Sequence, residues 1–130
     1  KPDLPLMERP FLICRRTGER FFITEDTAFL GKSAKKITVR PKNAAAAEEE
    51  QARIFCFQGT YFLEDLNSVS GTWLNSVRLD KLEERELHSA DVIRIGGEEL
   101  IFINRSDTEE NRQEEAGNQV GGSRKYPLLF

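Results

Sequence analysis

Apolar and polar residues alternate along this chain in short runs, each stopped by a residue that favours a turn. Phe11–Arg15 and Arg20–Ile23 read as two strands joined through Thr17-Gly18, Ala28–Leu30 leads into Gly31, and Ile37–Val39 is a shorter run. Ala52–Phe57 and Tyr61–Asp65 flank Gln58-Gly59, Thr72–Leu74 and Val77–Leu79 flank Asn75-Ser76, and Val92–Ile95 and Glu98–Ile103 flank Gly96-Gly97. Runs this short and closely spaced, with Gly or Asn at the turns, predict an all-β fold, an antiparallel β-sandwich of about ten to eleven short strands. No internal repeat is visible.

Three segments break the pattern. Asn75-Ser76 stands where a two-residue hairpin favours Asn-Gly, and Ser is a poor residue at positive φ, so this turn is either strained or of another type. Ala44–Ala52, with its Ala and Glu run, favours helix but is too short to be stable alone; a loop or single helical turn is expected, in a run uniform enough to be natural or engineered. After Asn104 the chain turns polar and Glu-rich through Gln119, which predicts disorder, before the apolar end Tyr126-Pro127-Leu128-Leu129-Phe130. The expected organisation is an N-terminal linker over 1–10, a sandwich over 11–104, and a polar linker with an apolar tail over 105–130.

The 130 residues suit one domain with a sizeable core, and the net charge of −3 gives no nucleic-acid or membrane footprint. No apolar run reaches the roughly 18 residues of a membrane span. The first residue is not Met, and the chain is expected to be a piece of a longer protein. Cys14 and Cys56 both fall inside apolar runs and are expected to be buried free thiols, which points to a reducing, cytoplasmic compartment.

The most informative stretch is Tyr61–Asn75, a strand, a tight polar loop and a second strand. Asp65, Leu66, Ser68, Gly71 and Thr72 match the loop Asp-Leu-x-Ser-x-Asn-Gly-Thr, with Ser70 in place of the Asn, and here the chain resembles a forkhead-associated domain, the family that reads phosphothreonine. Phe29-Leu30-Gly31-Lys32 is similar to that family's Ile-Gly-Arg, Gln51-Ala52-Arg53-Ile54 to its His-Ala-x-Ile, and Leu87–Gly96, which includes Asp91, to Leu-x-x-Gly-Asp-x-Ile-x-Ile-Gly with Ala90 for Gly. The ordered set runs from about Phe11 to Asn104.

The resemblance implies a phosphate site at one end of the sandwich whose three side-chain positions are Lys32, Glu48 and Ser70, beside Gly71 and Thr72, with Gly31, Gln51, Asp65, Ser68 and Asp91 shaping the loops. A dianionic phosphate needs donors, and Arg offers a rigid fork. Lys32 keeps the charge without the fork, Ser70 donates with shorter reach, and Glu48 cannot donate while ionised. Losing that donor costs roughly 1.5 to 3 kcal/mol, and the carboxylate adds repulsion. Glu48 pairing with Lys32 would close the old pocket, and Lys35, Lys36, Arg40 and Lys42 are further cations or an ordinary solvated surface.

Other motifs carry less. Gly31-Lys32-Ser33 mimics the end of a P-loop, but Asp26 stands where the first Gly belongs. His88, the single histidine, is expected to face solvent, Trp73 to pack in the core, and Cys14 and Cys56 lack metal-ligand spacing, so no metal or cofactor follows. Asn104-Arg105-Ser106 is a glycosylation sequon relevant only to a secreted protein. The expectation is a non-catalytic interaction or scaffold module with a degraded phosphothreonine site; the alternative is a working phosphothreonine reader using Lys32 and Ser70. Its partner would be a protein or peptide and no nucleic acid, and Tyr126–Phe130 is expected to dock on a neighbouring chain, giving self-association, or on the sandwich surface.

Overall fold

The computed structural model describes residues 5, 8–33, 36–41 and 50–106. Eleven strands follow in chain order: β1 Phe11–Cys14, β2 Arg20–Phe22, β3 Thr27–Ser33, β4 Lys36–Pro41, β5 Glu50–Phe57, β6 Thr60–Asp65, β7 Thr72–Leu74, β8 Val77–Arg78, β9 Glu84–Leu87, β10 Val92–Ile95 and β11 Glu98–Ile103. They form a six-stranded sheet in the order β2-β1-β11-β10-β7-β8 and a five-stranded sheet in the order β4-β3-β5-β6-β9. The all-β antiparallel sandwich expected from the alternation is the observed fold.

Alternation fixes which side of each strand faces inward. Leu12, Leu100, Phe102, Ile93 and Ile95 of the larger sheet meet Leu30, Ala52, Ile54 and Leu63 of the smaller, all fully buried. Tyr61 reaches across from β6 to Phe102 on β11, with ring centroids 5.7 Å apart. β1 and β11 pair in the middle of the larger sheet, Phe11 opposite Ile103, and β10 continues with Val92 opposite Ile101. Apart from Arg94, Glu98 and Glu99 at one end, these three strands are apolar on both faces. Phe11 and Ile13, Ile101 and Ile103, Val92, and Phe22 on neighbouring β2 therefore share the outer face.

Each of the ten runs read from the sequence contributes a strand, although Arg15, Ile23 and Leu79 lie just beyond strand ends. β9 was not foreseen, because Glu84-Arg85-Glu86 shows no apolar alternation. Of Ala44–Ala52, Glu50–Ala52 open β5, and 44–49 lie outside the described residues. Pro10, assigned to the linker, is buried, and its carbonyl accepts from the Ile23 N–H at 2.9 Å. The expected tail 107–130 lies outside the described residues. Cys14 and Cys56 are free, but only Cys14 is buried; Cys56 is half-buried, near the exposed end of β5.

Three hairpins turn on two residues at positive φ: Gln58 and Gly59 (53° and 82°), Asn75 and Ser76 (51° and 73°), and Gly96 and Gly97 (55° and 82°). This is the primed turn whose twist matches the flanking strands. Of the two readings of Asn75-Ser76, the strained one is observed.

Candidate functional site

The β6–β7 loop is built around one carboxylate. Asp65, 2% exposed at the end of β6, accepts from the Ser68 hydroxyl at 2.6 Å, the Thr72 hydroxyl at 2.7 Å and the Ser68 N–H at 3.1 Å. The Ser68 oxygen accepts in turn from the Gly71 N–H at 3.0 Å, closing residues 66–71 into a compact turn. Such charge-assisted bonds are about twice as strong as neutral ones. Sequence reasoning assigned Asp65 and Ser68 to this structural role, and the geometry explains why Ser or Thr is needed at 68 and 72.

A β-bulge aims the next residue. β3 and β5 pair Leu30 with Ala52 but Gly31 with Glu50, so Gln51 is the extra residue and alternation breaks there. Gln51 is buried beside Ala52, and its Nε2 donates to the Gly71 carbonyl at 2.9 Å and to Ser70 Oγ at 3.2 Å. Its own carbonyl accepts from the Leu66 N–H. Gln51 thus ties the loop to the smaller sheet, leaving Ser70 exposed and Val69, 93% exposed, at the tip.

Lys32 follows Gly31 on β3 at the same end, but its ammonium is turned inward. Nζ donates to the Gly96 carbonyl at 2.7 Å, bridging the two sheets, and the side chain is half-buried. Its stem lies so close to Gly96 that a Cβ there would overlap Lys32 Cδ, so a side chain at 96 would have to displace the lysine. Close by on the inner side is the carboxylate of Glu98, held by the Arg16 guanidinium at 2.8–2.9 Å with Cys14 Sγ at 3.7 Å. The Arg16 hydrogen bond keeps this carboxyl below the usual carboxylate range despite its burial, and the nearby charges of Arg16 and, more weakly, Lys32 act in the same direction. Glu48, and with it the expected Glu48–Lys32 pair, lies outside the described residues.

Arg78 was not foreseen. Its guanidinium covers Gly71, where an added Cβ would come within 2.9 Å of it, and Nη2 donates to the Val69 carbonyl at a long 3.4 Å. Arg78 also lies over the ring of Trp73, as does Arg94 from the other side of the register. Trp73 is therefore not a core residue as expected: Thr72 and Leu74 face inward, which puts Trp73 on the outer face. Among the further cations, Arg40 on β4 is paired across β3 with Glu50 on β5, while the side chains of Lys35, Lys36 and Lys42 lie outside the described residues.

The topology thus gathers Gly31, Lys32, Gln51, Asp65, Ser68, Ser70, Gly71 and Thr72 at one end of the sandwich. Asp91 is at the other. Its carboxylate accepts from the His88 N–H at 2.8 Å and from Asn75 Nδ2 at 3.0 Å, fastening two turns far from the loop. His88 is exposed, 3.2 Å from Glu86. No three His, Cys, Asp or Glu side chains among the described residues could hold a metal ion, and no helix among them is long and apolar enough to cross a membrane.

A family model for the FHA domain matches residues 29–96. Among solved structures, the chain is similar to the N-terminal FHA domain of S. cerevisiae Rad53p in complex with a phosphothreonine peptide (16% identity, TM-score 0.60, covering 79% of this chain and 98% of that one). It is also similar to the FHA domain of an Arabidopsis thaliana hypothetical protein (24%, 0.58, 80% and 93%). Mycobacterium tuberculosis EmbR, in complex with a low-affinity phosphopeptide, matches at 20% identity and a TM-score of 0.57 over 72% of this chain; the chain spans only 24% of EmbR. No curated protein matches the sequence.

Proposed function

The chain belongs to the forkhead-associated (FHA) domain family, and on that premise we propose that it is a non-catalytic protein-interaction module whose phosphothreonine site is degraded. The observation that carries this reading is the bond from Lys32 Nζ to the Gly96 carbonyl. The one cation retained at the family's phosphate positions is spent inside the protein, next to the Glu98 carboxylate. Withdrawing it for a ligand forfeits a charged hydrogen bond of about 1.5 to 3 kcal/mol, or about 10- to 100-fold in affinity. Ser70 keeps its O–H for a ligand but is held by the Gln51 Nε2 it accepts from, and Glu48 offers no donor while ionised. The exposed Val69 and the rigid Asp65–Ser68–Thr72 frame suit a protein partner better than a free anion. Two free thiols support a reducing, cytoplasmic setting.

Calorimetric titration of threonine peptides, phosphorylated and not, tests this reading. Expected is no phosphate-dependent binding tighter than about 100 µM, near −5.5 kcal/mol; low-micromolar, phosphate-dependent binding would overturn it. The triple variant Lys32→Arg, Glu48→Ser, Ser70→Asn should gain anion affinity non-additively, because the three positions converge on one phosphate. The alternative, a working phosphothreonine reader, is favoured by one observation: the guanidinium of Arg78 lies against Gly71, and could supply the fork that Lys32 lacks.

A further inference from the structure

The outer face of the larger sheet has an unusual charge pattern. Five of the ten arginines among the described residues lie on carboxylates: Arg15 on Glu99, Arg16 on Glu98, Arg40 on Glu50, Arg53 on Glu64 and Arg85 on Glu83. Arg20, Arg78 and Arg94 do not; among the described residues they lie over rings, Arg20 over Phe11 and the other two over Trp73. All three project from this one face. The register places Arg20 beside Ile13, Ile13 beside Ile101, and Ile101 beside Val92, with the row Arg78–Trp73–Arg94 next to it. Glu99 lies opposite Arg94 on the same face but is paired with Arg15. The outer face of an antiparallel sheet is ordinarily polar, so an apolar row bordered by three arginines that have no carboxylate partner among the described residues is the pattern of a covered surface.

We propose that this face is the docking surface for the chain's own segment 107–130. The segment follows β11, a central strand of this sheet, after Asn104–Ser106. Its first part carries Asp107, Glu109, Glu110, Glu114 and Glu115 against a single Arg112, the charge complement of the arginines, and its last part, Tyr126–Phe130, is apolar like Ile13, Ile101 and Val92. The 19 residues 107–125 have a coil span of about 24 Å, which exceeds the about 20 Å length of β11, so both parts reach in the same molecule. Docking in cis gains from the high effective concentration of a tethered ligand. The proposal shares only Arg78 with the β6–β7 loop; Arg20, Arg94 and the apolar row lie away from it.

Trp73, the single tryptophan, sits in this face and reports on it. In the full chain, Leu128→Asp with Leu129→Asp should raise acrylamide quenching of Trp73 emission about twofold, as expected when a half-buried ring loses its cover, and should shift the amide resonances of Ile13, Val92 and Ile101, independently of protein concentration. A second variant, with Glu109, Glu110, Glu114 and Glu115 each changed to Lys, should do the same, and added salt should move the native chain in the same direction. Quenching and resonances identical in the native chain and both variants would overturn the proposal. A response that disappears on dilution would also overturn it, identifying a second copy as the occupant.

Discussion

Six residues other than glycine have positive φ among the described residues, and the two with the largest values are Ser76 at 73° and Ala90 at 79°. Side chains pay about 1 kcal/mol in this region, so Ser76→Gly and Ala90→Gly should each raise the melting temperature by about 4 °C in a thermal melt. Asp65→Ala should act oppositely, leaving the Ser68 and Thr72 donors buried without their acceptor, and lower unfolding free energy in a denaturant titration by about 3 kcal/mol. Much at this scale was legible in the sequence. Ser76 and Ala90 stand out against the glycine-rich turn patterns, and Asp65 and Ser68 against the loop motif. Even Trp73 was decidable, since Thr72 and Leu74 flank it and alternation turns it outward. Lys32 was not, because its partner is a backbone carbonyl 64 residues away and no side-chain pattern announces that bond.

At the scale of strands, alternation identified the elements whose inner face is apolar and missed β9, a polar edge strand held by pairing with β6. Register was also invisible, and with it the Arg78–Trp73–Arg94 row, whose members come from three strands. The β1–β2 turn is fastened to β11 through Arg16 and Glu98, and this contact has a pH signature. Because folding lowers the Glu98 pKa, its contribution is fully present above the ordinary value of 4.5 and is lost as pH falls through the folded value. Glu98→Gln should therefore flatten the acid side of the stability curve, measured by denaturant melts across pH 3 to 6, while changing the slope near pH 8 little.

The whole molecule depends on two sheets staying in register, and Tyr61 spans them. Burial, reinforced by neighbouring Cys56, pushes its phenol up to about 12 from the ordinary 10.0. A phenol protonated in the folded state and ionised in the unfolded one stabilises fully below pH 10 and loses that contribution as pH rises toward 12. Circular-dichroism melts over that interval should show a decline that Tyr61→Phe lacks.

The pairing of Phe11 with Ile103 joins the first strand of the sandwich to its last, and this dictates an order of events during biosynthesis. At roughly 5 to 20 residues per second, β1 waits about 5 to 18 seconds on the ribosome before its partner exists. Throughout that delay its apolar faces have only β2 for company. The central sheet can close only when β11 has left the exit tunnel, so folding of the sandwich is expected to be late and abrupt. Nascent chains stalled before Glu98 should accordingly be sensitive to protease and bound by chaperones, and chains released past Asn104 should become resistant in one step.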